Sequence, residues 1–196
     1  MRVFASTNRL LSIGLWIALL AGLVARPAFL HADDSKIEVR SIDFALRDGQ
    51  YYLSADIHYQ LTQTAREALQ KGIPLYWDVL IKVVRERTWL WNKTLVDFKI
   101  RYRIQYHALL NNYRVTNITS SDSTSYASLS AALAGMSAIR NIAVLKEDDL
   151  VEDESYQVGV KTRFDREALP LPLRPATYIN PQWYLSSDWL QWPVQR

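Results

Sequence analysis

His58 and His107 are the only imidazoles after residue 32, and hydroxyls stand beside carboxylates in Ser120-Ser121-Asp122 and Ser186-Ser187-Asp188. These residue types could perform nucleophilic chemistry, which needs a base held within hydrogen-bond reach of the hydroxyl. Nothing in the spacing puts either histidine there. Both occupy polar positions of alternating segments, and Ser-Ser-Asp is also ordinary turn and cap chemistry. The chain contains no HxxxH, GxSxG, SxxK or glycine-rich phosphate loop, so neither a catalytic set nor a cofactor is expected. With no Cys in the chain, a thiolate zinc site, a cysteine nucleophile and a disulfide scaffold are all excluded. Glu147 to Glu154 places six carboxylates in eight positions. Hard oxygen donors suit calcium, but the glycine-bearing spacing of a calcium loop is missing, so the expectation is a solvated acidic loop and no metal.

The residues that point to binding lie in one long hairpin. Trp89-Leu90-Trp91 falls in a connection, where large apolar side chains are costly to leave in water. They either fold back over the end of the protein or meet a partner. From Lys82 to Arg114 eight basic residues oppose only Glu86 and Asp97. Between Val96 and Ala108 the even positions are apolar and the odd ones include Lys99, Arg101 and Arg103, which makes one face of a strand basic. Trp89, Trp91, Lys99, Arg101 and Arg103 are therefore the candidate partner-binding set, for an acidic protein or an anionic membrane surface. The alternative is an apolar ligand or lipid held between sheets and lined by Trp77, Phe98 and Tyr102. A hydrolase is a distant third reading.

The elements that must position these residues are mostly strands. Period-two alternation marks Tyr51 to Leu61, Leu75 to Val83 and Val96 to Ala108, with further strands at Tyr113 to Thr119, Asn141 to Leu145, Tyr156 to Phe164 and Trp189 to Val194. Asp48-Gly49 predicts a hairpin between Ile37–Leu46 and Tyr51–Leu61, and a phase slip between Val39 and Ile42 predicts a bulge. Thr64 to Lys71 reads as a helix ended by Gly72 and Pro74. A second helix begins after Ser128, with Leu129, Ala132, Leu133 and Met136 on one face and Gly135 weakening its last turn. Leu169 to Pro181, with four prolines, reads as an extended strap. The predicted fold is mainly β: an antiparallel β-sandwich, immunoglobulin-like in general architecture, with two short helical connections.

The chain has 196 residues, 49% of them hydrophobic and 12% aromatic, which is the make-up of a folded domain. Its formal charge of +3 lies entirely in Arg2, Arg9 and Arg26, because residues 1–32 hold no acidic side chain and the rest is balanced. A body without net charge argues against nucleic acid. Residues 1–32 read as a signal peptide or an N-terminal membrane anchor. Leu10 to Ala25 is an uncharged run of 16 residues, between the about 7–15 of a signal core and the about 20 of a membrane span. Cleavage after Ala32 and retention through membrane contact by residues 10–25 both stay open. Arg2 and Arg9 orient the body out of the cytoplasm in either case, which places a single domain, 33–196, in the periplasm or on the periplasmic side of the inner membrane.

The opening Ile37-Glu38-Val39-Arg40-Ser41, the block Ala68 to Leu75 (ALQKGIPL), Trp89-Leu90-Trp91, the tract Tyr102 to Leu109 (YRIQYHAL) leading to Tyr113-Arg114-Val115, and the closing Leu185 to Trp189 (LSSDW) occur in order. In this combination the chain resembles the proteobacterial domain of unknown function 4390. The resemblance implies no catalytic residue. It implies an exported companion of a membrane sensor histidine kinase, and so a non-enzymatic role in binding that kinase's extracytoplasmic part or another envelope protein.

Overall fold

The computed structural model describes residues 37–87 and 91–194. The leader and Trp89 lie outside the described residues. The first hairpin joins β1 (Glu38–Arg47) to β2 (Gln50–His58). Its turn residues Asp48 and Gly49 both have positive φ, 50° and 72°, the geometry that matches the twist of the strands they join. The predicted bulge falls between Val39 and Ser41, and it lets Val39 and Ile42 both face the core. Helix α1 (Gln63–Gln70) follows, with the Thr62 hydroxyl accepting from the Ala65 amide at 3.1 Å and Ala65, Ala68 and Leu69 turned inward. Then come β3 (Leu75–Arg85), β4 (Lys93–His107), β5 (Asn112–Asn117) and β6 (Asp122–Tyr126). After α2 (Leu129–Ser137), strands β7 (Ala138–Lys146) and β8 (Tyr156–Phe164) precede α3 (Arg174–Ile179) and β9 (Leu190–Pro193).

The strands form two antiparallel sheets of unequal size. One runs β1-β2-β7 and the other β6-β5-β4-β3-β8-β9. Their inner faces share one core. Strand β3 lies inside the larger sheet, and its alternate residues Leu75, Trp77, Val79, Ile81 and Val83 are all fully buried. They meet Tyr51, Leu53, Ala55 and Ile57 of β2 in the same core. Trp77 is held on every side: its indole N–H donates to the Leu185 carbonyl at 2.9 Å, and its ring lies 5.7 Å from Tyr59 and 5.1 Å from Phe164.

Two parts of the chain differ from expectation. Strand β6 has the sequence DSTSY and lies at a sheet edge, mostly exposed, so no apolar alternation announces it. The proline-rich strap is not extended. It folds as short helical turns at Leu171–Leu173, Arg174–Ile179 and Pro181–Trp183, with prolines in their first turns. A proline there loses nothing, since a first-turn N–H has no helical partner. Buried Leu169, Thr177, Trp183 and Leu185 hold the strap against the body.

Gly135 has a packing role that helix propensity hides. A Cβ at this position would stand 2.1 Å from the Tyr126 hydroxyl and 2.4 Å from its ring carbon Cζ. The glycine lets the β6 tyrosine lie across α2. Gly135→Ala is therefore expected to destabilise the fold by about 1–3 kcal/mol through overpacking, although alanine is intrinsically the better helix former by about 1 kcal/mol. Urea unfolding checks this, and Tyr126→Ala in the Gly135→Ala background should recover part of the loss.

Candidate functional site

The outer face of the six-stranded sheet is assembled by register. Asp78 on β3 stands opposite Arg101 on β4 and Arg163 on β8. One pleat along, Leu80 stands opposite Lys99 and Lys161, and in the other direction Tyr76 stands opposite Arg103. Lys82 pairs with Asp97 at 3.0 Å. Because side chains alternate across a strand, the core-facing pattern of β3, β4 and β8 delivers all of these residues to the same side. Lys99, Arg101 and Arg103, expected on one basic face from the sequence, share it in the structure. Near Lys82 the face is covered by Trp189, which fits because Gly159 has no side chain: a Cβ there would be 3.2 Å from the indole.

Asp78 organises the centre of this face. It is 1% exposed, yet it belongs to a strand whose other outward residues are partly solvated. Its Oδ2 accepts from Lys99 Nζ at 3.1 Å and from Arg163 Nη2 at 3.2 Å, while Arg101 Nη1 lies 3.6 Å from Oδ1. Oδ1 accepts no hydrogen bond among the described residues. A buried carboxylate is tolerable only when cations and donors replace the water it loses. Arg101 also donates through Nη2 to Asp165 and lies 5.2 Å over the Tyr76 ring. Its charge is thus used internally, between two carboxylates. Asp165 in turn caps the turn Arg166–Ala168, with Oδ1 accepting from the amides of Glu167 at 3.0 Å and Ala168 at 3.2 Å. Beside this cluster opens a cleft of about 420 Å³, lined in part by Lys99, Arg163, Arg166 and Tyr178.

The other sequence candidates are dispersed. Trp91 is 93% exposed at the start of the hairpin's second arm. Trp77, Phe98 and Tyr102 lie on the inner face, Trp77 directly opposite Tyr102, and burial pushes the Tyr102 phenol above its ordinary pKa. Ser186 and Ser187 use their hydroxyls to accept from the Phe164 and Thr162 amides, each at 3.0 Å, and so stitch the final segment to β8. Ser120 donates to Asp122 at 2.6 Å within its own turn. His107 lies opposite Asn112 at the end of β4. The acidic loop reaches the sheet through Glu154, 3.4 Å from Arg85.

Sequence reasoning passed over Asp78, Arg163, Asp165 and Arg166. The available signal was Asp78 itself, a lone carboxylate amid a run rich in Leu, Ile, Val and Trp, which calls for cations on the neighbouring strands. Removing it should leave three cations without their shared counterion. Asp78→Ala is expected to cost about 3 kcal/mol, with part of the loss regained near 1 M salt, where the screening length falls to about 3 Å. Lys99→Gln should cost only about 0–1 kcal/mol, since its side chain is 48% exposed. Urea unfolding at two salt concentrations measures both.

A family model described as a domain of unknown function (DUF4390) matches residues 34–193. No curated protein and no solved structure matches the chain. The match spans β1 through β9, with Asp78 and the cations around it inside it, and the chain therefore belongs to the DUF4390 family.

Proposed function

We propose that this protein is an exported, non-enzymatic β-sandwich that recognises an acidic surface of another envelope protein through the outer face of its larger sheet. The observation that carries the reading is the array of cations on that face. Lys99, Arg101 and Arg103 recur at every second position of β4, a spacing of about 6.6–6.8 Å, and Lys161 and Arg163 continue the array across β3. Arg101 is held by Asp78 and Asp165, so a partner meets Arg103, Lys161 and the exposed parts of Lys99 and Arg163. Alternate carboxylates of an extended partner segment repeat at the same interval. Trp91, exposed beyond the basic row, supplies an apolar anchor of the kind that concentrates binding energy. The leader supports export, and the extracytoplasmic part of a sensor kinase is the first partner to try. Trp77, enclosed by Tyr59, Phe164 and Leu185, weighs against an apolar ligand between the sheets.

The test is affinity capture from envelope extracts with the full chain, comparing wild type with Arg103→Glu plus Lys161→Glu and with Trp89→Ala plus Trp91→Ala. Wild type should retain a discrete partner at about 0.05 M salt and release it near 0.5 M, where exposed charges are screened. Both double variants should lose it at low salt. Equal capture by the charge-reversed chain would contradict the reading.

A further inference from the structure

The cleft beside Asp78 has more hydrogen-bond donors than the protein uses. Lys99 carries three N–H donors and Arg163 five, and each gives one to Asp78 Oδ2. Their side chains remain 48% and 55% exposed, so the rest of that donor capacity is open to the cleft. Arg166, on the turn that Asp165 caps, makes no ion pair among the described residues. Its guanidinium lies instead over two aromatic rings, 5.7 Å from the centre of Tyr178 and 4.9 Å from that of Tyr184. Stacking of this kind orients an arginine while leaving its in-plane donors free.

Three cations from three separate elements thus converge on a cleft of about 420 Å³, within the range of small-ligand sites, about 300–1,000 Å³. Asp78 holds two of them in place, so little ordering remains to be done when an anion arrives. A planar carboxylate offers two oxygens to such an array, whereas a phosphate group offers three terminal oxygens in a tetrahedral arrangement and takes forked contacts from arginine. Asp78, Asp165 and Glu167 also line the cleft: Asp78 and Asp165 are already paired with Lys99, Arg101 and Arg163, whereas Glu167, exposed, opposes an anion.

We propose that this cleft binds a phosphate group, carried by a small soluble molecule or by a lipid headgroup. The site goes beyond the partner-binding reading and does not rest on it: it shares Lys99 and Arg163 with the strand face, but it needs Arg166 and Tyr178 from the segment after β8 and needs no protein partner.

The experiment titrates the full chain with inorganic phosphate and with glycerol phosphate at constant ionic strength, using acetate and chloride as controls. A second arm floats the chain with phosphatidylglycerol vesicles against phosphatidylcholine vesicles. With a soluble phosphate at tenfold its Kd, the Tm of wild type should rise by about 3 °C. Arg163→Gln plus Arg166→Gln should weaken binding at least tenfold, and Glu167→Gln should strengthen it about twofold by removing the opposing charge. Binding to glycerol phosphate assigns a soluble source. Binding to phosphatidylglycerol vesicles alone, lost in the double variant, assigns a headgroup. Both support the site. It is overturned if no phosphate-bearing probe binds, if the double variant binds as wild type does, or if acetate binds as tightly as phosphate. Thermal melts without ligand confirm that the variants fold. None of these substitutions is shared with the partner-capture test, so either result stands alone.

Discussion

A single carboxylate in the wrong-looking place constrains much of this structure. Asp78 is in a strand whose inner face is the heart of the core, and its own side chain is nearly as inaccessible as the core residues. Burying that charge alone would cost several kcal/mol, so the fold must bring cations to it. Strand register does so from both sides, with Arg101 on one neighbour and Arg163 on the other. A slip of one residue in either pairing would turn these cations to the core face and leave Asp78 without them. The ion cluster and the hydrophobic alternation therefore specify the same register.

From Asp78 the constraint passes along the chain. Arg101 reaches on to Asp165, and Asp165 caps the turn that leads into the strap. The strap then returns across the body, where Thr62 donates to the Gln182 carbonyl at 2.8 Å and Trp77 donates to Leu185. The outward and inward sides of β3 thus fix the two ends of one segment, Asp78 through its ion cluster and Trp77 through its indole N–H. The exposed cations that remain on the outer face owe their placement to this scaffold, which is why a basic surface can be ordered without being neutralised.

How far the sequence reveals this depends on whether a residue's role is local. Tyr51 to Leu61 and Val96 to Ala108 alternate because one face of each strand is core, and the bulge near Val39 shows as a phase slip. Lys99, Arg101 and Arg103 could be placed on one face for the same reason. Strand β6 buries almost nothing, and its serines and threonine show no apolar alternation. The strap's prolines exclude a central strand but are equally at home in the first turn of a short helix, so they could not decide between an extended and a helical course. Arg163 and Arg166 join the site only because β8 pairs with β3 from about eighty residues away, a pairing that no local pattern encodes.

Asp78 and its cations act as one unit, and a double-mutant cycle measures that coupling most directly. Asp78→Asn, Arg101→Gln and the double variant would be compared with wild type by equilibrium unfolding. Membership of one ion network predicts a coupling of about 1 kcal/mol, because Arg101→Gln should cost less once Asp78 is neutral and only the Asp165 pair is left to lose. Additivity within about 0.3 kcal/mol would contradict the account and reduce the cluster to charges that merely lie near one another.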